Sequence, residues 1–234
     1  MRAGGGETGL MDLELWTAVD RYACDLLVPT DPVLDAALAD SAAAGLPAIG
    51  VTPNQGMLLS LLVQLSSARA LLEVGTLGGY SAIWLARGMG PGGRLVTLEV
   101  EPLHAEVATR NIARAGLSEV VDIRLGAALD TLPRLVAEGA GPFDFVFIDA
   151  DKADNAEYFQ WAVRLSRPGT VIVVDNVVRK GAIVDPDSTD AAVSGTRRLY
   201  EAMAAEPRVR ATVLQTVGSK GYDGFAIAVV GAHG

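Results

Sequence analysis

Before Ala70 the apolar residues recur at helical spacing, and from Ala70 onward they collect into short unbroken runs. Leu13, Trp16, Val19, Ala23, Leu26 and Leu27 mark one stripe of an amphipathic N-terminal helix, preceded by a glycine-rich stretch, Met1 to about Gly9, expected to be mobile. Asp31 before Pro32 pairs an N-cap acceptor with proline at the first helical position, so a second helix should open there and end near Gly45. Thr52-Pro53-Asn54-Gln55 repeats the signal. Thr52 and Gln55 stand at capping-box spacing before the apolar run MLLSLLVQL.

The runs ALLEV, RLVTLEV, VVDIRL, FDFVFID and TVIVVD then alternate with helical stretches. Continuous rather than alternating apolar strands are buried on both faces, which predicts a parallel, doubly wound, Rossmann-like α/β sheet with helices on each side. After the helix through TRRLYEAMAAE, the runs VRATVLQTV and FAIAVV are joined by Gly218 to Gly224. That connection is too short for a helical crossover, so these two strands should pair antiparallel. No repeat, linker or domain boundary interrupts the chain. It reads as one domain over residues 1–234, with N-terminal helices in 1–68 and the ligand-binding sheet in 69–234.

Composition narrows the function. Half the residues are hydrophobic and a fifth charged, a balance that fills a core. The net charge of −9 disfavours nucleic acid and anionic membrane as partners. Neither a membrane-spanning apolar stretch nor a signal-like N-terminus is present, so a cytoplasmic location is expected. Cys24 is the only cysteine, which rules out an internal disulfide and a thiolate metal cluster and reads as core filler. His104 and His233, the only histidines, read as structurally incidental.

The first candidate site is the turn Glu73-Val74-Gly75-Thr76-Leu77-Gly78-Gly79-Tyr80-Ser81, between the first strand and a helix. Glycines let the backbone turn sharply and approach a ligand. Glu99 ends the second strand, where doubly wound folds hold an acid against the ribose hydroxyls of an adenosine cofactor. The plain alternative is a tight turn and a helix cap. Nicotinamide enzymes favour G-x-G-x-x-G. Here the order is G-x-x-G-G, and Glu73 would set a negative charge near a pyrophosphate. S-adenosylmethionine, with a sulfonium, an ammonium and no phosphate, fits better.

The second site lies at two further strand ends, Asp149 to Lys152 and Asp175-Asn176. If those strands are neighbours, Asp149, Asp175 and Asn176 converge as hard oxygen ligands for a divalent cation, magnesium first, with manganese or calcium as alternatives. Such a cation would lower the pKa of a bound phenol, and Lys152 stands where it can take the proton. Turn formation or helix capping is the competing reading of these residues. Asp151 is expected to face solvent or cap the helix holding Tyr158 and Trp161.

Together, LLEVGTLGGYSAIWLA, LVTLEVE, FVFIDADKADNAEYF and VIVVDNV resemble the cation-dependent O-methyltransferases, which include catechol and caffeoyl-CoA O-methyltransferases. The resemblance runs from about Thr52 to the end. It implies a seven-stranded class I methyltransferase sheet with an antiparallel last strand, and methyl transfer from S-adenosylmethionine to a hydroxyl of a small catechol-like or phenolic acceptor. By the same resemblance the metal ligands fall on Asp149, Asp175 and Asn176, and the catalytic lysine on Lys152. Cofactor contacts fall on Val51, Thr52, Glu73, Gly75, Ser81, Glu99, Ala128 and Asp149. A homodimer is implied too. VVRKGAIVD after Asn176 and VGSKGYDGFA in the terminal hairpin depart from the family pattern, so Arg179, Lys180, Lys220, Tyr222 and Asp223 are candidates to line an unusual acceptor pocket. Competing readings are a nicotinamide-dependent oxidoreductase on a similar fold and a cofactor-binding protein without turnover.

Overall fold

The structure, a computed structural model, describes residues 5–232, with side chains from residue 11; His233 lies outside the described residues. Three helices come first: α1 (Gly5–Leu27), α2 (Pro32–Ala43) and α3 (Pro53–Leu65). α1 begins inside the glycine-rich stretch expected to be mobile, while residues 1–4 lie outside the described residues. α2 starts as expected, with the Asp31 carboxylate accepting from Val33 N at 2.9 Å. The capping box does not form. Thr52 Oγ1 turns instead to Asn54 Oδ1, 2.5 Å away, which also accepts from Gln55 N.

The sheet follows as β1 (Ala70–Val74), α4 (Tyr80–Gly88), β2 (Arg94–Glu99), α5 (Pro102–Arg114), β3 (Val121–Leu125), α6 (Ala128–Ala137), β4 (Phe143–Ile148), α7 (Asn155–Arg164) and β5 (Ser166–Asp175). An irregular turn, Arg179–Val184, precedes α8 (Ala191–Ala205), β6 (Val209–Gly218) and β7 (Gly221–Val230). The seven strands lie in the order β3-β2-β1-β4-β5-β7-β6, and β7 runs antiparallel to both neighbours, as expected. The hairpin differs in detail. Pairing continues to Gly218 opposite Gly221, so the connection is only Ser219-Lys220 rather than the seven residues expected.

Successive strand residues bury opposite faces, which is why the runs are unbroken. Leu72, Val96, Val146, Ile172 and Val174 pack under α6, α7 and α8, while Leu71, Leu95, Phe145, Phe147 and Val173 pack under α2 to α5. Strand order reverses between β1 and β4, and that is where doubly wound sheets open a crevice at their carboxyl ends. α1 contradicts the expected pattern: Leu13, Val19, Leu26 and Leu27 of the apolar stripe are exposed, and only Trp16 and Ala23 are half-buried. Cys24, expected in the core, is half-buried on the same helix. Among the described residues no helix is long and apolar enough to cross a membrane.

Candidate active site

A cavity of about 830 Å³ opens over the carboxyl ends of β1, β2, β4 and β5, room for an adenosine-sized cofactor beside a small acceptor. Of the residues expected at the cofactor, Val51, Thr52, Gly75, Ser81, Glu99, Ala128 and Asp149 all line it. Gly75 must be glycine. Its φ is +100°, and a Cβ there would fall 2.4 Å from the Asp149 carbonyl oxygen, so the turn presses against the end of β4. Gly79 opens α4 at φ +82°.

Glu73 is the exception. It is fully buried, does not line the cavity, and lies beneath the turn. Ser81 Oγ donates to its Oε1 and Thr97 Oγ1 to its Oε2, each at 2.6 Å. Burial nonetheless pushes its pKa up to about 8, against those two hydroxyls and with help from the charges of Asp149 and Glu99. Glu99 is nearly buried at the cavity edge. Its Oε2 accepts from Leu77 N at 2.7 Å, and its Oε1 accepts from Val100 N and Glu101 N at 2.9 Å. The acid thus ties the glycine turn to the start of α5.

At the other end, Ile148 pairs with Val174, which sets Asp149 and Asp175 side by side just past the paired strands. Lys152 Nζ donates to Asp149 Oδ1 at 2.6 Å. Asp175 is buried, does not reach the cavity surface, and has its pKa pushed up to about 6 by burial first and by the charge of Asp149 second. Asn176 lines the cavity with φ +57°, a left-handed conformation that asparagine tolerates better than most residues. Asp151 is exposed, as expected; its carboxylate accepts from Tyr158 Oη at 2.7 Å and from Asp154 N, at the N-cap position of α7, at 3.3 Å.

Four further residues of this region carry no site signal in the sequence pattern. His104, taken as incidental, lines the cavity 3.5 Å from Glu99; the third position of a helix opening at Pro102 points back toward the strand end. Asn111, fully buried on α5, donates to Gly78 O at 2.9 Å and holds the glycine turn. Gln55, in the first turn of α3, faces Asp175 and opposes the rise of its pKa. Tyr158 lines the cavity through the helix after β4. Of the residues suggested for an acceptor pocket, Arg179 and Lys220 line the cavity, and Asp223 stands behind them, its Oδ1 accepting from Val178 N and Arg179 N. Tyr222 turns away to Gln215, and Lys180 is exposed outside the cavity.

A seven-stranded sheet of this order, with a glycine turn and an acid at adjacent strand ends, defines a class I methyltransferase fold. The chain belongs to the O-methyltransferase family, whose model matches residues 30–226. The expected enzyme class, an S-adenosylmethionine-dependent O-methyltransferase, follows from that membership, and the oxidoreductase reading falls away. The chain is 56% identical over 220 residues to a catechol O-methyltransferase of Niastella koreensis, covering 94% of this chain and 100% of the relative. It is 55% identical over 212 residues to a catechol O-methyltransferase of Mycobacterium tuberculosis, covering 91% and 94%. Among solved structures it is similar to the O-methyltransferase of Bacillus cereus in complex with SAH (S-adenosylhomocysteine), with TM-score 0.92, 59% identity, and 93% and 99% of the two chains covered. It is also similar to TomG of Streptomyces achromogenes in complex with SAM, with TM-score 0.92, 51% identity, and 95% and 100% covered.

Proposed function

We propose that residues 1–234 form one catalytic unit that moves a methyl group from S-adenosylmethionine to a hydroxyl of a small catechol-like or phenolic acceptor with the help of a divalent cation. The observation that carries this is that Asp149, Lys152 and Asn176 line the same cavity as the glycine turn and Glu99, with Asp175 buried beside Asp149 at the neighbouring strand end. The relatives bound to the donor or its demethylated product support the cofactor, and the two catechol O-methyltransferases support the acceptor.

The donor set suits a hard cation. Burial first and the neighbouring charge of Asp149 second raise the pKa of Asp175, and the amide of Asn176 adds a neutral oxygen. No group of three His, Cys, Asp or Glu among the described residues competes for it. Asp149, Asp175 and Asn176 would hold magnesium, or manganese or calcium in its stead, and the ion when bound would make an acceptor hydroxyl more acidic. Lys152 then takes the hydroxyl proton at Nζ. Asp149 keeps that amine oriented. Gly75, Ser81, Val51, Thr52, Glu99 and Ala128 hold the donor. Glu73, with no surface on the cavity, acts on it through Ser81 and, by way of Thr97, through Thr76.

A catechol incubated with enzyme, donor and magnesium should gain one methyl group by mass. A tight chelator should abolish the gain and added metal restore it; full activity under chelation removes the ion from the mechanism. Lys152→Ala should cut turnover by roughly 10²- to 10⁴-fold, the usual worth of a general base, while leaving SAH affinity nearly intact. Equal loss of both would make the lysine structural.

The unit is also read as a homodimer joined through α1, whose apolar stripe faces outward.

A further inference from the structure

Besides His104, three cationic side chains line the cavity: Lys152, Arg179 and Lys220. Lys152 is already matched to Asp149. Arg179 and Lys220 make no ion pair with any carboxylate among the described residues. Arg179 lines the cavity while its Nε is buried and has no hydrogen-bond partner among the described residues, so no protein acceptor neutralises this guanidinium.

Both residues are held in place by contacts of their own loops. Arg179 and Lys180 take φ +54° and Gly181 φ +86°, three left-handed residues in a row. Asp223 fixes that backbone by accepting from Val178 N at 2.9 Å and Arg179 N at 3.0 Å. Lys220 occupies the two-residue hairpin turn, and Asp20 of α1 clamps that turn by accepting from Ser219 N at 2.8 Å. The Lys220 ammonium donates to Gly50 O on the opposite rim. Partial burial lowers its pKa, opposed by the charges of Asp149 and Asp175.

Lys152, Arg179 and Lys220 stand against Asp149 on the lining and Asp175 buried beside it, one positive charge in excess. The other acids of the cavity are elsewhere or engaged. Glu99 and Glu101 stand beside His104 at the β2 end, and Asp151 is bonded to Tyr158. A local cationic pair in a chain of net charge −9 is not a by-product of overall charge.

We infer that Arg179 and Lys220 are specificity-determining residues that bind a carboxylate carried by the aromatic acceptor, so that the preferred substrates are catechol acids rather than neutral catechols. The inference rests on the acceptor reading of this cavity. The planar guanidinium offers its terminal N–H groups to the carboxylate, and the lysine adds charge from across the rim.

The test is calorimetric binding of 3,4-dihydroxybenzoate and its methyl ester to protein saturated with SAH. The acid should bind roughly 10- to 100-fold more tightly, the worth of a charge-assisted hydrogen bond. Arg179→Met and Lys220→Met should each weaken the acid far more than the ester, and Lys220→Arg should keep most of the preference. Equal affinity of acid and ester for the unsubstituted protein overturns the inference, as do variants that weaken both ligands alike. Methylation of the ester is scored separately. Its absence would count against the proposed reaction, while the affinity ratio still judges the two cations.

Discussion

Glu73 shows how far a single carboxyl can depart from its ordinary behaviour when strand and helix close over it. Its pKa rises from 4.5 to about 8 because burial disfavours the charge more than Ser81 and Thr97 favour it. An acid that holds its proton more tightly in the folded chain stabilises the fold fully below pH 4.5, and that contribution is lost as the pH climbs through about 8. For this one group the slope reaches roughly 1.4 kcal/mol per pH unit within the window. Glu73→Gln keeps a polar group against both hydroxyls and removes the proton. Urea titrations without cofactor should therefore show the variant gaining on the parent between pH 5 and pH 8, and parallel stability curves would refute the buried charge. The strand-end residues Asp149, Lys152, Asp175 and Asn176 were legible because polar side chains closing apolar runs stand out. The burial of Glu73 was not. It precedes the apolar Val74 and points to the sheet face covered by α3 to α5, a fact carried by the packing of helices rather than by local pattern.

At the scale of elements the decisive junction is between β1 and β4. Gly75 combines a backbone that side chains rarely adopt with contact against the Asp149 carbonyl, so alanine there would force the end of β4 away and move Asp149 with it. Gly92 offers a control, since its φ of +75° is similarly unfavourable but a Cβ would meet nothing within 4 Å. Gly92→Ala should cost about 1–2 kcal/mol, the penalty of the left-handed backbone alone. Gly75→Ala should cost more than that and also abolish the rise in melting temperature on adding SAH. If the two variants behave alike, close approach at the junction is unimportant. The parallel strands were readable because helices on both faces demand unbroken apolar runs. The terminal hairpin was misread as a long loop because Gly218, Gly221 and Gly224 look like turn formers. Gly224 in fact serves strand packing, since a Cβ there would lie 2.3 Å from Leu214 O.

For the whole molecule, α1 poses the remaining question, because helical periodicity identifies an apolar face without saying what covers it. None of its residues from Met11 to Leu27 is fully buried, and Leu15 and Leu27 are 62% and 75% exposed. β6, which α1 touches, is an edge strand that also exposes Leu214 and Val217. An uncovered edge beside an apolar helix invites association. A second copy of the chain is the simplest cover, since a two-fold pairing lets each α1 shield the other. Light scattering at micromolar concentration should accordingly return twice the 24.3 kDa chain mass, and the melting temperature should fall on dilution. Tyr22→Glu combined with Leu26→Glu places charge in the middle of that face and should shift the protein toward the monomer. Both residues are exposed, so the fold of one chain has no reason to suffer. A monomer of unchanged melting temperature at every concentration would show that α1 keeps its apolar face for some purpose other than self-association.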